Sequence, residues 1–218
     1  MERKEAIKQQ LVEYGKAMVR DRLVRGTSGN ISVLDRTAGH VFITPTGTDY
    51  ERLVADQVAV ITLTGQRVEG LVPSSETSMH LGIYSSREDV MAVVHTHSMY
   101  ATAFAVHGMD IPAVHYMVTM LGGDKIPVTP HYELYGSREL AASTVDTLST
   151  KYHAALLRKH GVIAIGGTLS EAYRRAVIVE EMAELYHHVK ALGEPELLSP
   201  EEIDEVVKKS VNYGQLNE

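Results

Sequence analysis

The segment Val90-Met91-Ala92-Val93-Val94-His95-Thr96-His97 constrains this chain more than any other. Its apolar, valine-rich run reads as a strand inside a sheet. Side chains alternate faces along a strand, so His95 and His97 project on the same side. Any fold must therefore set two imidazoles side by side on a segment that otherwise reads as core. Imidazole is the commonest protein ligand for a borderline ion such as Zn²⁺, and a pair on a rigid strand is half of a metal site. A lone buried histidine has a plainer explanation in core packing. The rest of the chain must supply the other half.

Periodicity gives the remaining elements. Ile7, Leu11, Tyr14 and Met18 recur at helical spacing and predict an amphipathic opening helix of roughly 18 residues. The turn Arg25-Gly26-Thr27-Ser28-Gly29-Asn30 feeds a strand at 31–34, and a second strand at 41–43 ends at Thr44-Pro45-Thr46-Gly47. Strands at 58–63 and 67–69 follow, and the tight turns between them imply antiparallel pairing. Pro73-Ser74-Ser75 opens a predicted helix to about Ser85, with Ser75 as N-cap. Further helices are predicted at 100–107, 136–149 and 170–192, and a short one from Ser199-Pro200 onward. Strands are predicted at 114–117, 126–128, 154–157 and 162–165. With 218 residues, 44% of them hydrophobic, and no linker or repeat, the reading is one α/β domain spanning 1–218, a mainly antiparallel sheet flanked by helices.

Lys and Arg number 21 against 28 Asp and Glu, a net charge of −7, which argues against nucleic acid as a partner. Cysteine is absent, so disulfides and thiolate chemistry are excluded, and any metal must be held by histidine and carboxylate. Met1-Glu2-Arg3-Lys4-Glu5 lacks a signal-peptide core, and no run of about 18 apolar residues occurs. A cytoplasmic protein without a membrane span is expected.

His160, in Leu156-Leu157-Arg158-Lys159-His160-Gly161-Val162, also lies between short apolar strands, and Gly161 allows a close approach. Three histidines with one open position is the pattern of a catalytic rather than a structural zinc site. Glu76 is a fourth candidate, although an acid in the first turn of a helix is also favoured by the macrodipole alone. The remaining histidines, His80 among them, follow no such pattern and read as surface or packing residues. Three segments share an anion-binding chemistry: Gly26-Thr27-Ser28-Gly29-Asn30, Thr44-Pro45-Thr46-Gly47 and Pro73-Ser74-Ser75-Glu76. Each is an ordinary turn alone; together their hydroxyls and backbone N–H groups suit a small phosphate.

Taken in order with Val93-Val94-His95-Thr96-His97 and Lys159-His160-Gly161, these segments resemble the class II aldolase/epimerase family, whose fold the adducin head shares. The resemblance runs from Gly26 through His160 and on to Tyr213-Gly214. Ile111-Pro112-Ala113-Val114-His115-Tyr116-Met117 is similar to the L-fuculose-1-phosphate aldolase branch. The resemblance implies a three-layer α/β/α sandwich assembled as a C4 homotetramer with active sites between subunits. It implies one Zn²⁺, or another divalent ion, per subunit on His95, His97 and His160, with Glu76 as fourth ligand and catalytic acid/base. Gly29, Asn30, Thr46, Gly47, Ser74 and Ser75 match the phosphate-binding positions. Tyr116 and Tyr213 match tyrosines that reach the site at the subunit interface, Tyr116 as a catalytic residue. The plainer reading of Tyr116, a core aromatic on a strand, is the less favoured of the two, because its hydroxyl would then need a partner.

The implied reaction is reversible cleavage of L-fuculose 1-phosphate, or a similar 1-phosphoketose, to dihydroxyacetone phosphate and lactaldehyde or another short aldehyde. No Schiff-base lysine is required. Action on 5-deoxyribulose 1-phosphate and dehydration of methylthioribulose 1-phosphate share the metal and phosphate elements and stay open. L-Ribulose-5-phosphate 4-epimerases usually carry Asp where this chain has Glu76, and a further acid that residues 113–121 lack. An adducin-like binding module without a metal is disfavoured by the intact histidines and Glu76.

Overall fold

The computed structural model describes residues 2–210 of the 218. Apolar alternation and short turns build a meander of β1 (Asn30–Asp35), β2 (His40–Ile43), β3 (Ala59–Thr62) and β4 (Arg67–Glu69), each antiparallel to the next. β5 (Ala92–Thr96) is the valine-rich strand, and all five of its residues are buried. β6 (Ile111–Pro112) and β7 (Lys125–Ile126) form a separate two-stranded ribbon. β8 (Ala154–Leu157) and β9 (Gly161–Gly166) complete a seven-stranded antiparallel sheet of order β4-β3-β2-β1-β5-β9-β8.

The helices are α1 (Glu2–Arg20), α2 (Thr77–Ser86), α3 (Met99–His107), α4 (Tyr116–Thr119), α5 (Arg138–Leu148), α6 (Leu169–Leu192) and α7 (Pro200–Ser210). Strand alternation sorts the core into two layers. Ile31, Val94, Val162 and Ala164 face Leu11 and Met18 of α1, Ala101 of α3 and Ala176 of α6. Their neighbours Leu34, Val93, Ile163 and Ile165 face Met79 and Ile83 of α2 and Leu140 of α5. The result is the expected three-layer α/β/α sandwich. Leu11 and Met18 are fully buried, and truncating either to Ala costs about 2–5 kcal/mol.

Register fixes the site. Asn30 of β1 stands opposite His95 of β5, and His95 stands opposite Ile163 of β9. The start of β1, the end of β5 and the β8–β9 turn therefore meet at one end of the sheet. Among the described residues no helix is long and apolar enough to cross a membrane.

Two local expectations are corrected. Residues 114–117 are not a strand: Val114 N–H turns back to the Pro112 carbonyl at 2.7 Å, and the His115 ring accepts from Met117 N–H at 3.3 Å, capping α4. A short apolar run cannot by itself distinguish strand from helix. Ser75 is not the cap of α2. Glu76 occupies that position without a side-chain cap bond, and Ser74 instead accepts from Glu76 N–H through Oγ and from Thr77 N–H through its carbonyl.

Candidate active site

β5 ends at Thr96, yet alternation persists for one more residue, and Nε2 of His95 and of His97 lie 3.0 Å apart. His160 comes from the tight β8–β9 turn, where its N–H donates to the Leu157 carbonyl at 2.9 Å. Lys159 in that turn has φ 56°, a left-handed conformation that costs a non-glycine residue about 1–2 kcal/mol. The three imidazole rings stand edge-on to one another with centroids 4.8, 4.9 and 5.0 Å apart. A Cβ on Gly161 would lie 2.4 Å from the Thr96 carbonyl oxygen and 2.8 Å from His97 Cδ2, so the triad closes only around glycine. Gly29, at φ 73°, likewise lets β1 approach the His95 carbonyl, and Tyr50 Oη pins it by donating to its carbonyl at 2.6 Å.

Glu76, at the start of α2, turns its carboxylate inward rather than serving as a solvated helix-start acid. Oε2 lies 3.0 Å from His95 Nε2 and accepts from Asn30 Nδ2 at 2.9 Å, while Oε1 lies 3.3 Å from His160 Nε2. His95 Nδ1 lies 2.7 Å from the Val162 carbonyl, which can only accept, so the ring donates there and keeps Nε2 for the site.

Burial alone would neutralise Glu76, but the positive charge of His95 outweighs it and holds the carboxyl below the usual carboxylate range. Burial likewise disfavours the His95 cation, and Glu76 reverses that, raising its pKa. Burial and the neighbouring His95 push His97 down to about 3 and His160 down to about 4. Two rings therefore present free lone pairs near neutral pH. Among the described residues Glu76 Oε1 is buried without a hydrogen-bond partner, and the ligand atoms of the three histidines lie within 4.8 Å of one another. Such a nitrogen-rich set with one carboxylate fits a borderline divalent cation such as Zn²⁺.

A cleft of about 280 Å³ opens beside this cluster. Gly29, Asn30, Thr46, Gly47, Ser74 and Ser75 all line it, together with Glu76, His97 and His160. The three turns are thus brought to the histidines, although Asn30 is only 4% exposed and spends its carboxamide on protein partners. Lys159, which belongs to the Lys159-His160-Gly161 segment, also lines the cleft, as does Tyr132, which is remote from every motif in sequence and carried no signal there. His80, read as a packing residue, lies behind Glu76 with its Nε2 2.5 Å from Asn30 Oδ1. Its complete burial keeps the ring neutral, with a pKa pushed down to about 3. Tyr116 is not in the cleft: it is 49% exposed on α4 and lines a separate apolar groove with Met117, Met120 and Ile178. Tyr213 lies outside the described residues.

Residues 9–187 match the family described as Class II Aldolase and Adducin N-terminal domain. The chain is 38% identical over 209 residues to a 5-deoxy-D-ribulose 1-phosphate aldolase of Bacillus thuringiensis serovar kurstaki, covering 95% of this chain and 97% of that one. It is 40% identical over 206 residues to the L-fuculose phosphate aldolase of Escherichia coli, covering 94% of each. A solved structure of an L-fuculose 1-phosphate aldolase superposes with a TM-score of 0.90 at 37% identity, over 94% of this chain and 96% of that one. Sheet order, histidine cluster and full-length similarity converge: this chain belongs to the class II aldolase family.

Proposed function

We propose that this chain is a divalent-metal-dependent aldolase that reversibly cleaves a 1-phosphoketose to dihydroxyacetone phosphate and a short aldehyde. L-Fuculose 1-phosphate, giving lactaldehyde, is the first substrate to consider. 5-Deoxyribulose 1-phosphate, giving acetaldehyde, is the second, favoured by the 38% identity to a relative of that name. One observation carries the reading: the His95–His97–His160–Glu76 cluster and a cradle of neutral anion donors open into the same cleft. The protein works in the cytoplasm as a tetramer with sites between subunits.

His95, His97 and His160, with Glu76 as the exchangeable fourth group, hold one Zn²⁺ or similar ion. When bound, the ion supplies Lewis acidity that stabilises the negative charge developing on the ketose oxygens as C3–C4 breaks. Gly29, Thr46, Gly47, Ser74 and Ser75 hold the phosphate through hydroxyls and backbone N–H groups. Glu76 returns a proton to C3 of the three-carbon fragment in cleavage and removes it in condensation. Tyr116, from a neighbouring subunit, takes the aldehyde-side hydroxyl proton in cleavage and returns it in condensation.

The test is turnover of a panel of 1-phosphoketoses, with dihydroxyacetone phosphate, epimerised and dehydrated products measured in parallel. Chelation should abolish turnover, and borohydride with substrate should trap nothing, even though Lys159 lines the cleft. Activity surviving exhaustive chelation, or no dihydroxyacetone phosphate from any ketose, would overturn the reading.

A further inference from the structure

Four polar side chains interlock between β1 and α2 where an apolar seam would be expected. Asn30 and Ser32 come from β1, His80 and Tyr84 from α2, and none is more than 4% exposed. Tyr84 Oη lies 2.7 Å from Ser32 Oγ, and Ser32 Oγ lies 2.6 Å from His80 Nδ1. His80 Nε2 lies 2.5 Å from Asn30 Oδ1, and Asn30 Nδ2 lies 2.9 Å from Glu76 Oε2.

The polarity of this chain has one solution. The Glu76 carboxylate only accepts, so Asn30 turns its amino group to it and its carbonyl to His80. That carbonyl also only accepts, so His80 carries its hydrogen on Nε2. The buried ring is neutral, which leaves Nδ1 bare to accept from the Ser32 hydroxyl. Ser32, having donated, accepts from Tyr84. Every link is satisfied and every link points toward Glu76.

Mere attachment of α2 to the sheet does not call for this arrangement. Apolar groups of the same shape would join the two elements without desolvating four polar side chains. What an apolar seam could not do is fix the rotation of one carboxylate. We infer that Tyr84, Ser32, His80 and Asn30 are positioning residues that hold Glu76 by Oε2 and reserve Oε1, which has no hydrogen-bond partner among the described residues, for the proton. The inference rests on the aldolase reading for the role of Glu76.

Ser32→Ala deletes the donor to His80 Nδ1 without touching Glu76, the histidine cluster or the phosphate turns. Its kcat should fall about 10–100-fold, the range for loss of a supporting hydrogen bond. KM for the phosphoketose and bound metal per subunit should stay within about twofold. Tyr84→Phe, which removes only the outermost donor, should show a smaller loss in the same direction. Long-range proton–nitrogen NMR of zinc-reconstituted wild-type protein with isotope-labelled histidine should show His80 as the Nε2–H tautomer, and this holds whether or not either variant folds. An Nδ1–H tautomer, or an unchanged kcat in Ser32→Ala, would overturn the inference. So would a KM rising as much as kcat falls, which would place Asn30 on the phosphate. Absence of turnover by the wild type on every ketose would instead strike the aldolase reading and leave the tautomer measurement standing.

Discussion

Glu76 Oε2 and His95 Nε2 lie 3.0 Å apart, although one residue caps a helix and the other is the penultimate residue of a central strand. Each shifts the other toward its charged form against the pull of burial. The imidazole nitrogen that would face a metal ion and the carboxylate that would serve as base are therefore immediate neighbours. Glu76→Gln separates the two roles. The amide is nearly isosteric and can still bond to Asn30, so fold and histidine cluster should persist and metal stoichiometry should stay near wild type. Proton transfer is lost, and turnover should drop about 10²–10⁴-fold, the usual contribution of a positioned acid/base. Metal analysis beside single-turnover kinetics checks both halves; normal turnover would require another base.

Gly161→Ala should remove metal without unfolding the sheet. The added Cβ meets the Thr96 carbonyl and the His97 ring at separations that real Cβ atoms do not occupy, and it stands 3.3 Å from His95 Cε1. Two of the three rings must shift. We expect bound metal to fall well below one per subunit, with a stability loss of about 1–3 kcal/mol as for other overpacking changes. Full metal occupancy by elemental analysis would show that the turn can yield without disturbing the rings.

The histidine pair was legible because strand alternation is local: two residues apart on a buried strand means one face. The three turns were legible because small residues, hydroxyls and glycine announce exposed N–H groups wherever they fall. The role of His80 was not legible, because its partners Asn30 and Ser32 lie 50 and 48 positions away and meet it only after α2 docks on β1. The segment around Tyr116 failed for a different reason. Its apolar residues suit either element, and the deciding contact is the His115 cap. The left-handed Lys159 had no signal at all, since lysine has no preference for that conformation.

Stability should fall as the medium is acidified, partly through His153, outside the site. Burial first, then Arg175 and Arg87, push its pKa from 6.5 down to about 4. Between those values the unfolded chain binds a proton that the native state refuses, so stability is full above 6.5 and is lost as pH falls toward about 4. His153→Gln should flatten that segment of the profile. Urea midpoints of the two proteins at about pH 7 and about pH 5 give the comparison. Equal slopes would mean that the native state admits the proton.

Tyr116 supplies the last prediction, because its position in a single chain is incompatible with a role in that chain's own cleft. It is half-exposed in a groove of Met117, Met120 and Ile178, and the cleft is lined by other residues. If it serves a neighbour, Tyr116→Phe and Glu76→Gln damage different halves of a shared site. Each variant alone should be nearly inactive, since every site in a homo-oligomer carries the same lesion. Dissociated, mixed and reassembled, the two should regain activity, because about one site in four then combines an intact Glu76 with an intact Tyr116 from its neighbour. The recovered kcat per intact site should equal that of the wild type. Full activity of Tyr116→Phe alone would place Tyr116 outside the reaction, and two inactive variants that assemble without recovery would overturn the claim that the active site lies between subunits.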